Sequence, residues 1–436
     1  MSRHKFCSLR SSSTKALLAV LAVGTLAVSA CSSSPSSSSS GSSAGASSAG
    51  AAAASGSPIK IGIIVPIHAV VDYSEAVSAA KGAVLAINAK GGVNGHPLQL
   101  LTCNSALLPT TEQACDRQMT GAGVAAMVGD ALYTAESFGD SAFRSAGIVQ
   151  IGNYPSGVSE TDPNSYLFFG GQTYANAGQL YGASKWVGDK VGVVRLDFPY
   201  TAPYTAFYTK ACPTLNCQVV SSTVIPSNNV TDFSTYASQL LAGHPQVIVP
   251  DLGPEIIPLM AALDQIGYTG KIVAQDTNFT TKNFLAQPEK VQNQYIISTP
   301  FPPPFDSSVP GVQMFLSEMQ AEKAAGDAEA PTYTNYSQTA TMDAWLAVHV
   351  FAEIAAKSHA YTASAFKQAI GSTNSVDTYG LTPPWNPNHV NFSPLPRASN
   401  DSWYFYVENN GNPKLLNTAA VPVTGIVKDG WTGSAT

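Results

Sequence analysis

The chain has 436 residues, of which 44% are hydrophobic and only 11% charged, with a formal net charge of −6. An acidic balance with no basic stripe argues against nucleic acid, and six cysteines without a C-x-x-C pair give zinc and thiol redox chemistry little support. About 380 residues follow a low-complexity N-terminal region; one hydrophobic core stops growing at roughly 250–300 residues, so two lobes are expected.

Arg3, Lys5, Arg10 and Lys15 form a positive N-terminal region without an acid, and residues 16–28, ALLAVLAVGTLAV, form an apolar run of 13. That run is too short to span a bilayer and suits a secretory signal. Val28-Ser29-Ala30-Cys31 resembles a bacterial lipobox. The resemblance implies cleavage after residue 30 and lipid on Cys31, where each buried methylene contributes about 0.8 kcal/mol of membrane affinity. Residues 32–57 comprise 14 Ser, 7 Ala, 4 Gly and 1 Pro. Such a segment builds no core and as a flexible coil spans on the order of 25–30 Å. The alternative is an ordinary signal peptide with a cysteine after its cleavage site. Gly41-Ser42-Ser43-Ala44-Gly45 matches the nucleophile elbow G-x-S-x-G, but that mechanism needs a strand before it and a helix after it, which this tether lacks. The leader carries four of the 22 Lys and Arg and none of the 28 acids, leaving −10 on the mature chain.

The folded part opens with IKIGIIV (59–65), a β-branched run suited to a buried parallel strand. A helix follows at 74–90, with Val77, Ala80, Val84 and Ile87 on one face and Gly91-Gly92 ending it. PLQLLTC (97–103) predicts a strand, and Thr110-x-x-Gln113 a capping box that opens a helix to about 121. VAAMVG (124–129), a helix near 134–145 and GIVQIG (147–152) continue the alternation. It restarts with VGVVRL (191–196), CQVVSSTVI (217–225), QVIVP (246–250) and KIVAQ (271–275), with helices near 202–211, 231–242 and 255–266 between them. QYIIST (294–299) predicts a further strand, then helices near 310–325, 337–357 and 362–370. Residues 381–397 are proline-rich and unsuited to core elements, SWYFYVEN (402–409) reads as a strand, and Asn410-Gly411 as a turn. Alternating strands and helices imply parallel sheets covered on both faces, so the predicted class is α/β with two doubly wound lobes. Ligands in such sheets sit beyond the carboxyl ends of the strands, which singles out loops 66–74, 130–134, 152–158, 197–204, 251–255 and 276–280.

With Cys7 in the leader and Cys31 lipidated, Cys103, Cys115, Cys212 and Cys217 remain, an even number in an exported chain. Four cysteines allow three pairings. The local pairing, Cys103–Cys115 and Cys212–Cys217, is preferred because each pair sits within one supersecondary unit.

The stretch IKIGIIVPIHAVVDYSEAVSAAKGAVLAINAKGGVNGHPLQLLTC is similar to the opening of the branched-chain amino-acid-binding family, the type I periplasmic binding proteins of ABC importers. INAKGGVNGHPLQL is its most specific piece, and MVGD (127–130), TDPNSYLFF (161–169), FSTYASQL (233–240) and DQIGYTGKIV (264–273) extend the likeness over nearly the whole mature chain. The resemblance implies two α/β lobes joined by three hinge crossovers that close on a ligand. It assigns 58–178 plus 300–375 to the N-terminal lobe and 179–299 plus 376–436 to the C-terminal lobe. It also implies a monomer delivering a small molecule to ABC permease subunits from the extracytoplasmic face of the cell membrane, anchored by lipid alone, with no cofactor, no metal and no catalysis.

Carried over position by position, the resemblance puts an aromatic residue of the first ligand loop at Tyr73. The next loop, expected to offer small hydroxyl residues to a ligand carboxylate, reads Asp130-Ala131-Leu132-Tyr133-Thr134, with Tyr133 in place of a serine. The loop after it reads Asn153-Tyr154-Pro155-Ser156, where Ser156 fits and Tyr154 does not. Tyr200 matches a family tyrosine, and Asp276 falls where an acid holds an α-ammonium. Tyr73, Tyr133, Tyr154, Tyr200 and Tyr204 together would make an aromatic cleft suited to a ligand larger or flatter than leucine, so the expected ligand is an amino acid or a related aromatic or amide-bearing compound.

Each residue also has a plainer reading. Asp251 ends a strand at the ligand-bearing edge and is a candidate ligand contact, but it is also placed to shape the turn before Gly253-Pro254; Asp276 is also placed to cap a helix, and Arg195 and Asp197 to pair with each other. Trp385 and Trp403 suit a core, and His68 an exposed loop. A sensor built on the same fold is the alternative to transport. A surface hydrolase is a third option, against which stand the absence of H-E-x-x-H and of a P-loop, and of G-x-S-x-G outside the tether.

Overall fold

The computed structural model of the protein describes residues 54–433 apart from residues 70, 133–135, 155–156, 199–200 and 228–229. The first series of elements runs β1 (Ile59–Val65), α1 (Ser74–Ala89), β2 (Leu98–Asn104), α2 (Pro109–Ala122), β3 (Met127–Val128), α3 (Glu136–Ala146), β4 (Gln150–Ile151) and β5 (Ser165–Tyr166). Its five strands form a parallel sheet in the order β2-β1-β3-β4-β5. The second series runs α4 (Gln172–Trp186), β6 (Lys190–Leu196), α5 (Tyr204–Ala211), β7 (Gln218–Ile225), α6 (Ser234–Leu241), β8 (Val247–Asp251), α7 (Ile256–Gln265), β9 (Lys271–Gln275), α8 (Thr281–Leu285), α9 (Glu289–Gln292) and β10 (Tyr295–Thr299). Helices α10 (Pro310–Ala324), α11 (Thr339–Ser358) and α12 (Ala363–Gly371) follow, then β11 (Ser402–Val407), β12 (Lys414–Leu415), β13 (Val421–Pro422) and α13 (Thr424–Gly430). The second sheet has the order β12-β11-β10-β9-β8-β6-β7, with β11 antiparallel to β10 and β13 paired to β11.

Strand alternation explains why both sheets are covered twice. In β1, Ile59, Ile61, Ile63 and Val65 face the core built with α1, α10 and α11, while Ile64 faces α2 and α3 beside Met119 and Phe143. In β6, Val191 and Val193 face α4, α5 and α13; Val194 and Leu196 face α6 and α7. Each of these side chains is buried and contributes about 1.5–3 kcal/mol relative to exposure.

Several boundaries differ from those read in the sequence. Helix α2 starts at Pro109 behind an extended Leu108, with no side-chain cap, so the expected Thr110–Gln113 capping box is absent. The stretches 124–129 and 148–152 are buried, but only two residues of each pair into the sheet. Helix α4, not expected at all, packs on β8, β9 and β10 from its start, so a lobe boundary at 178/179 would cut it in half. Val376, Leu381 and Trp385 remain in the first core, with Trp385 Nε1 donating to Leu167 O at 3.0 Å. The chain rejoins the second core only around Phe392 and Leu395, later than the expected residue 376.

Cys103 is bonded to Cys115, tying the end of β2 to α2, and Cys212 to Cys217, tying the end of α5 to the start of β7. The local pairing is therefore the one formed. Loops of 12 and 5 residues contribute about 2–3 kcal/mol each by restricting the unfolded chain. Among the described residues, no helix is long and apolar enough to cross a membrane.

Candidate functional site

The carboxyl ends of the first sheet's strands lead into loops that the backbone organises tightly. Asp72 accepts from the backbone N–H groups of His68 and Ser74, each at 2.9 Å, which folds residues 66–74 back on themselves. That turn carries Tyr73 inward, where it is 2% exposed, and leaves His68 on the surface. At the end of β3, Asp130 Oδ1 accepts from Ile64 N at 2.8 Å, binding two strand ends together. Asp130 O accepts from Tyr154 N at 2.6 Å, which sets the next loop. The Tyr73 and Tyr154 rings lie 5.9 Å apart at 34°.

Tyr154 reaches from the first sheet to the second. Its hydroxyl donates to Gln172 Oε1 at 3.3 Å and pairs with the Thr277 hydroxyl at 3.2 Å. The side chain keeps some accessible surface, yet burial holds its ionisation well above the usual tyrosine range. A second link between the lobes joins α1 to α8, where Thr281 Oγ1 donates to Glu75 Oε2 at 2.7 Å. Burial pushes the Glu75 carboxyl up to about 7, with Asp72 and Glu329 adding to the rise and the Thr281 hydroxyl opposing it.

Two acids end neighbouring strands of the second sheet. Asp251 closes β8, half-buried, and its carboxyl is pushed up to about 8 by burial against the opposing charge of Arg195. Asp276 follows β9 and is 2% exposed. Burial raises it to about 7, while hydrogen bonds from Thr339 and Thr299 hold it down. Thr339 Oγ1 lies 2.7 and 2.8 Å from its two oxygens. The plainer role for Asp276 does not hold: Gln275 caps the 3-10 turn of residues 276–278, and the Asp276 carboxyl turns instead to α11.

Tyr73, Tyr154, Asp251 and Asp276 come together, since the charges of both acids and the Tyr73 hydroxyl all bear on the Tyr154 hydroxyl. Tyr133, Thr134, Ser156 and Tyr200 lie outside the described residues, as does Cys31. Tyr204 does not join the cluster; it opens α5 and is buried in the second core. Trp385 and Trp403 are also core residues, and Arg195 Nη1 lies 3.9 Å from Asp197 Oδ1.

Sequence reasoning missed the polar side of α4. Gln172 Nε2 donates to Asn176 Oδ1 at 3.0 Å, and Gln275 Nε2 donates to Gln179 Oε1 at 2.8 Å. Gln179 Nε2 donates to Pro250 O and Val273 O, at 2.8 and 3.0 Å. This buried ladder fixes the ends of β8 and β9, and so the backbone that carries Asp251 and Asp276. Its signal was a Q-x3-N-x2-Q spacing in QTYANAGQ (172–179), one face of a helix.

A family model described as "Periplasmic binding protein" matches residues 58–411. The chain belongs to the periplasmic binding protein family. None of the curated proteins compared matches it. Among solved structures, a fatty acid ABC transporter substrate-binding protein from Thermomonospora curvata superposes with a TM-score of 0.68 at 15% identity, covering 87% of this chain and 95% of that one. A leucine-binding protein, LivK, from Thermotoga maritima gives 0.66 at 18% identity, covering 84% and 99%. The branched-chain amino acid transporter substrate-binding protein LivJ from Streptococcus pneumoniae, solved with isoleucine, gives 0.64 at 18% identity, again covering 84% and 99%. At these identities the shared property is the fold: two α/β lobes with the type I arrangement.

Proposed function

We propose that this member of the family is a lipid-anchored extracytoplasmic receptor for an ABC importer, and that it captures an amine-bearing small molecule between its lobes and hands it to the permease. The observation that carries this reading is Tyr154, a first-lobe residue bonded to Thr277 immediately beside Asp276. A ligand entering there meets tyrosine faces from one lobe and carboxylates from the other. Stacking and charge-assisted hydrogen bonds are the contacts that orient a small cation-bearing molecule. Asp276 would hold the ammonium, Asp251 would support it, and Tyr73 and Tyr154 would close over the apolar part. Ser156, Tyr200, Tyr133 and Thr134 complete the proposed set.

Binding to the folded state alone adds RT ln(1 + [L]/Kd) to stability, about 2.7 kcal/mol at a hundredfold excess over Kd. A thermal-shift screen of amines, diamines, amino acids, amides, ureas and aromatic acids is therefore expected to yield compounds that raise the melting temperature. A screen in which none does so counts against the reading. The anchor has its own test. Cys31→Ala is expected to move the protein from the membrane fraction to the soluble fraction of its host, and an unchanged distribution would remove the lipid from the proposal.

A further inference from the structure

We propose that the cleft is built for an organic cation carrying no carboxylate beside its nitrogen, and that a linear diamine meets it most fully, with Asp251, Asp276 and Asp343 as the acids that select it. This rests on the reading above and names the ligand class of the same site. Asp343 lies on α11 four residues after Thr339, hence one turn further along the same face. Thr339 bonds Asp276, and the charge of Asp276 bears on Asp343. Asp343 is 1% exposed, and neither of its carboxylate oxygens has a hydrogen-bond partner among the described residues. Asp251 Oδ2 is likewise buried without a partner.

Such groups need a counter-charge or a donor to stay ionised away from water. Asp276 has donors in Thr339 and Thr299, whereas Asp343 has none among the described residues. Asp251 has a counter-charge in Arg195. Arg195 Nη1 is itself donated to Leu196 O at 3.1 Å and Thr201 Oγ1 at 3.0 Å. A cationic ligand would supply the partner that Asp343 and Asp251 Oδ2 lack. A zwitterionic amino acid would bring a carboxylate among these acids, and like charges placed together in a desolvated site discriminate strongly against a partner. Two acids end strands of one lobe and the third sits on a helix packed in the other. Two separated ammonium groups match that split better than one.

The test is calorimetry of the full-length purified protein with four probes: 1,5-diaminopentane, isopentylamine, leucine and isovalerate. Diaminopentane is expected to bind at least tenfold tighter than isopentylamine, isopentylamine at least tenfold tighter than leucine, and isovalerate to show no heat of binding. Leucine binding as tightly as isopentylamine overturns the inference while leaving a receptor for amino acids intact. Silence from all four overturns the inference too; the receptor reading then stands or falls by the wider thermal-shift screen. Asp251→Asn and Asp343→Asn are each expected to weaken diaminopentane at least tenfold, with circular dichroism and melting temperature confirming a folded protein. Unchanged affinity in both variants overturns the selection of the ligand by these acids.

Discussion

Replacing Asp276 with asparagine is expected to weaken binding of an amine ligand by about two to three orders of magnitude, the usual result of truncating one partner of a buried, hydrogen-bonded charge pair. The fold should not suffer. Asparagine is nearly isosteric, its Oδ1 accepts from the Thr339 hydroxyl, and the cost of burying a charge disappears. The pH dependence sharpens the test because binding and stability have opposite signs. Burial raises the folded-state carboxyl from 3.8 to about 7, so a cation finds Asp276 ionised above that pH and protonated below it. Affinity should fall as pH drops from 8 to 6. Unliganded stability should rise over the same interval, since the folded state binds a proton that the unfolded state, with its ordinary carboxyl, does not. In Asp276→Asn the contribution of this group to both trends should vanish, leaving those of Asp251 and Glu75. Calorimetric titrations and thermal melts at three pH values suffice, and a variant that binds as tightly as wild type removes Asp276 from the site.

The second large effect is expected at Gly129, in the loop after β3. Its φ is +68°, and a Cβ added there would stand 2.5 Å from the Cα of Ala344, in helix α11. Alanine at this position must adopt a left-handed backbone, at about 1–2 kcal/mol, and must push a helix backbone away, at about 1–3 kcal/mol more. Gly129→Ala should therefore destabilise the protein by about 2–5 kcal/mol in denaturant titrations. Gly95→Ala is the matched control, with φ of +85° and nothing within 4 Å of the added Cβ, so it should show the backbone cost alone. Because α11 presents Thr339 to Asp276, displacing the helix should also weaken amine binding, whereas Gly95→Ala should not. Equal losses in the two variants would show that the contact with α11 contributes nothing.

Much of the fold was legible because parallel strands buried on both faces must be apolar throughout. The runs at β1, β6, β8, β9 and β10 therefore stand out from any helical pattern. Helix α4 was illegible for the complementary reason. Nearly every residue from Gln172 to Ala183 is buried, so no polar stripe marks a solvent face, and its amides read as loop. Residues 124–129 were correctly read as buried, but hydrogen bonding depends on where neighbouring strands come to lie, which no local pattern encodes. The candidate site was half legible. Asp251 and Asp276 stood out because they end strand-like runs. Glu75 and Asp343 were missed because an acid in the first turns of a helix ordinarily only complements its dipole, and nothing in the sequence says that these two are shut away from water. Tyr204 misled for the opposite reason: an aromatic after a proline resembles a loop residue, yet it opens α5 with its ring turned inward.

The described bonds that join the lobes at the candidate site include Tyr154 with Thr277, Thr281 to Glu75 and Thr339 to Asp276, all made by neutral hydroxyls. Hydrogen bonds of this sort are worth about 0.5–3 kcal/mol net, and with no cation in any of these, added electrolyte has little to screen. In the proposed receptor, so slight a latch should hold the lobes alike in dilute and in concentrated salt, and a solute would act by favouring the shut form.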